Sequence, residues 1–173
     1  NSSLDAAGAG GLTTGAISAG SFDLSLDGDT GAVSVDSFAN AGAVTLVDAS
    51  GATFANASDA TSVDLNGTQN GTYAFNGALT TDTLTTNAVD DGNNAFTLDL
   101  KGGLTITNAV TFDNSDDLEI GADGVTSTFN GGFDTTAVGP LVTLAGNIVS
   151  PAGLTLNDLT LIADTTLDSD GAA

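Results

Sequence analysis

The feature that most narrows the fold is apolar alternation at period two, repeated in short runs along nearly the whole chain. Phe22-Asp23-Leu24-Ser25-Leu26, Val44-Thr45-Leu46, Val63-Asp64-Leu65, Phe96-Thr97-Leu98-Asp99-Leu100, Leu104-Thr105-Ile106, Val142-Thr143-Leu144 and Leu159-Thr160-Leu161 each put their apolar residues on one side of an extended backbone. Between such runs lie Asp27-Gly28, Asn66-Gly67, Asn70-Gly71, Asn76-Gly77, Asp91-Gly92, Asp123-Gly124 and Asn130-Gly131. These pairs tolerate positive φ and turn the chain. Nowhere does a window of about 11 residues carry helical spacing with capping residues. The chain reads as all-β.

Short, regular strands suit a sandwich or a solenoid, and recurrence separates the two. The segments around Phe54, Phe75, Phe112 and Phe129 resemble one another, and Phe96 fills the gap between the second and third. Extended both ways, the series is Val35, Phe54, Phe75, Phe96, Phe112, Phe129, Ile148 and Leu167, at a mean step of about 19 residues. A second set falls half a period away: Leu24/Leu26, Val44/Leu46, Val63/Leu65, Leu84, Leu104/Ile106, Leu118/Ile120 and Val142/Leu144. This predicts a parallel β-helix, a β-solenoid with coils of about 19 residues, in which inward side chains form ladders through one shared core. About nine such coils would make a rod of roughly 40 Å. The alternative is an antiparallel β-sandwich, a pilin-like subunit whose residues 1 to 20 form an extended arm donated to a neighbour.

Charge excludes whole classes of function. Twenty-two acids face one base, Lys101, and the net charge is −21. Every acid but Glu119 is an aspartate, and His, Cys, Met, Trp and Arg are absent. One lysine makes no footprint for nucleic acid. Thiolate and imidazole metal sites and Ser-His-Asp or Cys-His nucleophiles are excluded. No apolar run reaches the roughly 18 residues of a membrane span. Few aromatics and high charge suggest disorder, but the 40% hydrophobic content and the alternation argue for a packed core. The ends carry neither a polar cap nor a helix, and Asn1 follows no signal-like segment. Residues 1–173 are therefore expected to be a single solenoid unit of a longer array, covalent or assembled head to tail.

The runs Ala9-Gly10-Gly11-Leu12-Thr13-Thr14-Gly15-Ala16-Ile17, Phe75-Asn76-Gly77-Ala78-Leu79-Thr80-Thr81-Asp82-Thr83-Leu84 and Leu159-Thr160-Leu161-Ile162-Ala163-Asp164-Thr165-Thr166-Leu167 carry a resemblance. In texture, over nearly the whole chain, it is similar to the filamentous-haemagglutinin-like and autotransporter-passenger-like β-helix repeats of large bacterial surface proteins. The resemblance implies a right-handed parallel β-helix exported to the cell surface as an adhesin stalk or fibre. The family's N-terminal secretion domain and outer-membrane barrel are not in this sequence.

Candidate sites are few. Calcium suits clustered carboxylates, and the densest groups are Asp27-Gly28-Asp29, Asp90-Asp91, Asp113 with Asp116-Asp117, and Asp168 with Asp170. None has EF-hand or nonapeptide β-roll spacing, so turn capping is the expected role, with weak Ca²⁺ binding at these turns the one cofactor allowed. Paired carboxylates could hydrolyse glycosides, but acidic sugars would find no Arg or His and a repulsive field. No catalytic, cofactor-binding or metal residue is assigned. Thr105-Ile106-Thr107 and Thr126-Ser127-Thr128 do not recur at the 19-residue step and reflect strand propensity. Lys101, in Leu100-Lys101-Gly102-Gly103-Leu104, should pair with Asp99 or an acid one coil away rather than form an isopeptide crosslink. The expected function is a non-enzymatic structural role in an extracellular fibre or adhesin stalk, partnered end to end by neighbouring repeats or identical subunits. The alternatives are the pilin-like subunit and a Ca²⁺-dependent adhesive module.

Overall fold

The computed structural model describes all residues except 7, 66–69, 87–95, 115 and 171–173. It is an all-β solenoid of about 7 turns of roughly 21 residues, with no helix among the described residues. Among the described residues every ladder between strands is parallel. That excludes the antiparallel sandwich. Residues 1 to 20 are likewise a coil and not an arm. Their strands Ser2–Asp5, Leu12–Thr14 and Ile17–Ser18 pair with Leu24–Asp27, Val33–Val35 and Phe38–Ala39 of the coil that follows.

Following the registers from coil to coil separates three faces. Face one begins with Ser2–Asp5 and Leu24–Asp27 and ends with Val110–Thr111, Phe133–Asp134 and Leu154–Thr155. Face two runs from Leu12–Thr14 through Ala52–Phe54, Gly71–Phe75, Phe96–Leu100 and Leu118–Ile120 to the start of Val142–Val149. Face three begins with Ile17–Ser18 and Phe38–Ala39 and continues to Leu104–Ile106 and Thr126–Phe129. Ser58–Leu65 and Leu79–Thr85 run unbroken round the corner from face three to face one. At about 4.8 Å per coil the stack is roughly 34 Å long.

The turn is longer than the expected 19 residues because coil length is uneven. The in-register step is 17 residues from Val142 to Leu159 but 25 from Leu79 to Leu104. The inward ladders therefore match the expected ones only where steps stay near 20. Leu24–Val44–Val63–Leu84 and Leu26–Leu46–Leu65 are columns of face one, and Val35–Phe54–Phe75 is a column of face two. The phenylalanine series breaks next, since Gly71, not Phe75, pairs with Phe96. Phe112 follows face one and Phe129 ends a strand of face three. All five phenylalanines are nonetheless buried. They form separate clusters: Phe54 stacks on Phe75 at 4.5 Å, Tyr73 meets Phe96 edge-on at 4.9 Å, and Phe112 and Phe129 surround Phe133. Burying such a side chain contributes about 1.5–3 kcal/mol, and ring contacts add about 0.5–1.5 kcal/mol.

Corners between faces are held by buried polar side chains. Ser58 Oγ accepts from Phe38 N and donates to Asn56 O. Thr81 Oγ1 donates to the carbonyls of Thr61 and Thr83. Asn114 Nδ2 is shared among the carbonyls of Phe96, Asp116 and Asp117. These groups satisfy backbone carbonyls that leave the ladder at a bend and would otherwise be buried unpaired. On the last coil Leu161, Ile162 and Leu167 are exposed, so Leu167, the end of the expected ladder, has 43% of its surface free.

Candidate functional surface

Of the aspartates expected as turn caps, Asp27 and Asp168 each accept from the backbone N–H two residues on, whereas Asp113 and Asp116 accept from threonine hydroxyls of a neighbouring coil. Asp27 Oδ1 accepts from Asp29 N at 2.9 Å, and Asp29 Oδ2 accepts from Gly8 N of the preceding coil at 2.7 Å. Asp113 Oδ1 accepts from Thr86 Oγ1 at 3.1 Å, and Asp116 Oδ2 accepts from Thr97 Oγ1 at 3.2 Å. Asp168 Oδ1 accepts from Asp170 N. Asp90-Asp91 lies outside the described residues, as do Asn66-Gly67 and Asp91-Gly92. Among the described residues no three acids converge as a metal site would require.

Lys101 is where the sequence is most literal. Its Nζ lies 3.0 Å from Asp99 and 3.1 Å from Glu119, which are in register on successive coils of face two. The only base thus sits between two stacked acids, one of them the only glutamate. Its hydrogen bond to Asp99, and then that to Glu119, raise its pKa. The side chain is 40% exposed. Held at hydrogen-bond distance from both carboxylates, the ammonium forms an ion-pair bridge between the two coils.

Three other groups have shifted acidities. Burial pushes Tyr73 up to about 12, with Asp48 adding to the shift, and its hydroxyl donates to Ala49 O at 2.9 Å. Burial also raises Asp64, whose Oδ1 is enclosed without a partner. Asp134 is lowered by the hydroxyl of Thr136 and then by its backbone N–H.

Two features escaped the sequence. Thr80, Thr105 and Thr128 form an outward column above Asp59 on face three, hidden from a 19-residue step because the spacings are 25 and 23. At the corner between faces three and one, a shallow groove of about 280 Å³ is lined by Ser21, Asn40, Asp59, Thr61, Thr80 and Asp82, among others. Phe22, expected to start an alternating strand, is 64% exposed, because the strand begins at Leu24.

Compared with protein-family models, curated proteins and solved structures, the chain matches none of them.

Proposed function

We propose that this chain is a non-enzymatic structural protein, a stiff segment of an extracellular fibre or adhesin stalk on a bacterial cell surface. The observation that carries the reading is the parallel stack: among the described residues fifteen strands form one continuous parallel sheet, with smaller parallel sheets of three and two strands, around a shared core. Such a stack resists bending and extension, because coils share their stability with their neighbours. The resemblance in texture to filamentous-haemagglutinin-like and autotransporter-passenger-like repeats supports the same role and an exported location. The acids fit a solvated coat, with weak Ca²⁺ binding at Asp-rich turns as its only metal chemistry.

The partner in this reading is another coil of the same kind, from a neighbouring repeat or an identical subunit. Leu161, Ile162 and Leu167 offer an apolar strand edge that one further coil would cover. Negative-stain microscopy of the concentrated protein tests this directly. The expected result is rods that lengthen with concentration and shorten in a Leu161→Asp/Leu167→Asp variant. Monomers at every concentration, or rods indifferent to that variant, would overturn end-to-end association through this edge.

A further inference from the structure

We infer that the last coil is a docking surface for the first coil of a second copy, joined head to tail, a polarity that rests on the fibre reading. Face two carries one inward column through the whole stack, from Leu12 through Val33, Tyr73 and Val142 to Leu159. Its inner members are buried, and only its two ends, Leu12 and Leu159, are half-buried. Each end lacks one neighbour, and setting Leu12 of one copy on Leu159 of another supplies both. The other faces end alike. Leu4 and Ile17 are half-buried on the first coil, Leu154 and Leu156 on face one at the far end, and Leu167 is exposed on the last coil of face three. The joint so formed repeats the contact already made from coil to coil within the chain, parallel pairing over continuous apolar columns.

The last coil has a seat for the incoming strand. Where face three turns into face one, a hollow of about 590 Å³ is lined, among the described residues, by Pro151, Ala152, Gly153, Leu154, Leu167 and Ser169. It lies over Leu154–Thr155, which among the described residues pairs with Phe133–Asp134 on one side only. Ser2–Asp5, the first strand of the same face, likewise pairs on one side only, with Leu24–Asp27, and its Leu4 is in register with buried Leu26. Seated on Leu154–Thr155, that strand fills the hollow. Charge favours the same polarity. Residues 1–20 contain a single acid, Asp5, whereas Asp158, Asp164, Asp168 and Asp170 lie on or beside the last strand. Two last coils face to face would set these carboxylates against their own copies, which repel. Head to tail, they meet the charge-poor first coil, with Gly11 beside Asp158 when the face-two register continues. Unlike ends also repeat without closing and so build a filament, whereas like ends stop at a dimer.

Single cysteines test the polarity, since the chain has none of its own. Thr13 and Thr160 are exposed, and they are the first and last members of one outward column of face two. Across a head-to-tail joint they become neighbours, as Thr143 and Thr160 are within the chain. Thr13→Cys and Thr160→Cys variants are mixed under mild oxidation at the concentrations used for microscopy. Their mixed disulfide should form about tenfold faster or more than the Thr160→Cys homodimer. It should outpace by as much a control pairing of Thr13→Cys with Thr53→Cys, an exposed position midway along the same column. Rods whose disulfides join position 160 to position 160 would overturn the polarity and leave the fibre reading standing. Equal rates for all pairs would overturn the docking, and the fibre reading with it where no rods form.

Discussion

Tyr73 shows how much one side chain reveals about the interior. It stands in the column Val33–Ala52–Tyr73–Leu98–Leu118, fully buried, with its hydroxyl on Ala49 O. Because burial raises its folded pKa to about 12 from 10.0, the folded state holds the phenolic proton more tightly than the unfolded chain. Stability from this group is therefore complete below pH 10 and is lost as pH climbs towards 12. Absorbance of the tyrosinate should rise together with unfolding in that window. Tyr73→Phe should lose about 1 kcal/mol at neutral pH through the missing hydrogen bond and shift alkaline unfolding upward, as circular dichroism would record.

At this scale the sequence is legible where one residue type is scarce. A single Lys among stacked acids has few places to go, and it bridges Asp99 and Glu119. Threonine, serine and asparagine are too common for that logic. Nothing local distinguishes buried Thr81 or Asn114, which staple corners, from the exposed Thr80 beside the former. The corner groove is illegible for the same reason: its lining residues come from four coils and meet only through the register.

Elements were legible as strands and less so as coils. Period two marks which residues point inward, and it marks them correctly in Leu24–Asp27, Phe96–Leu100 and Leu118–Ile120. What it cannot carry is corner length, because chain leaving and re-entering a ladder obeys no period. One corner, between faces two and three, is fixed by glycine. A Cβ at Gly77 would collide with the backbone of Asn56 and Ala57, and one at Gly102 with the backbone of Gly77. Neither residue has positive φ, so the constraint is close approach between coils and not backbone strain. Gly77→Ala should cost about 1–3 kcal/mol or more by overpacking, whereas Gly124→Ala meets no atom there and is opposed only by its positive φ. Urea unfolding of the two variants separates these causes. Equal, negligible losses would contradict the tight corner.

For the whole molecule, stacking turns net charge into a stability term. Asp5, Asp27 and Asp48 fall in register on consecutive coils, which places like charges one inter-strand spacing apart, about 4.8 Å. That is inside the Debye length of about 8 Å at physiological ionic strength. The melting temperature should rise with sodium chloride from low to high salt, and a flat curve would contradict the account.

The central claim is the coil register itself, most exposed to test where the structure departs from an even repeat. Thr80 pairs with Thr105 across a step of 25 residues, whereas a uniform 19-residue coil would set Thr80 beside Asp99. The chain has no native cysteine, so engineered pairs report cleanly, and a disulfide requires Cα atoms about 4.4–6.8 Å apart. Under mild oxidation Thr80→Cys/Thr105→Cys should close an intramolecular disulfide in the folded protein, and Thr80→Cys/Asp99→Cys should stay reduced. Closure of the second pair with the first left open would contradict the three-faced solenoid described above.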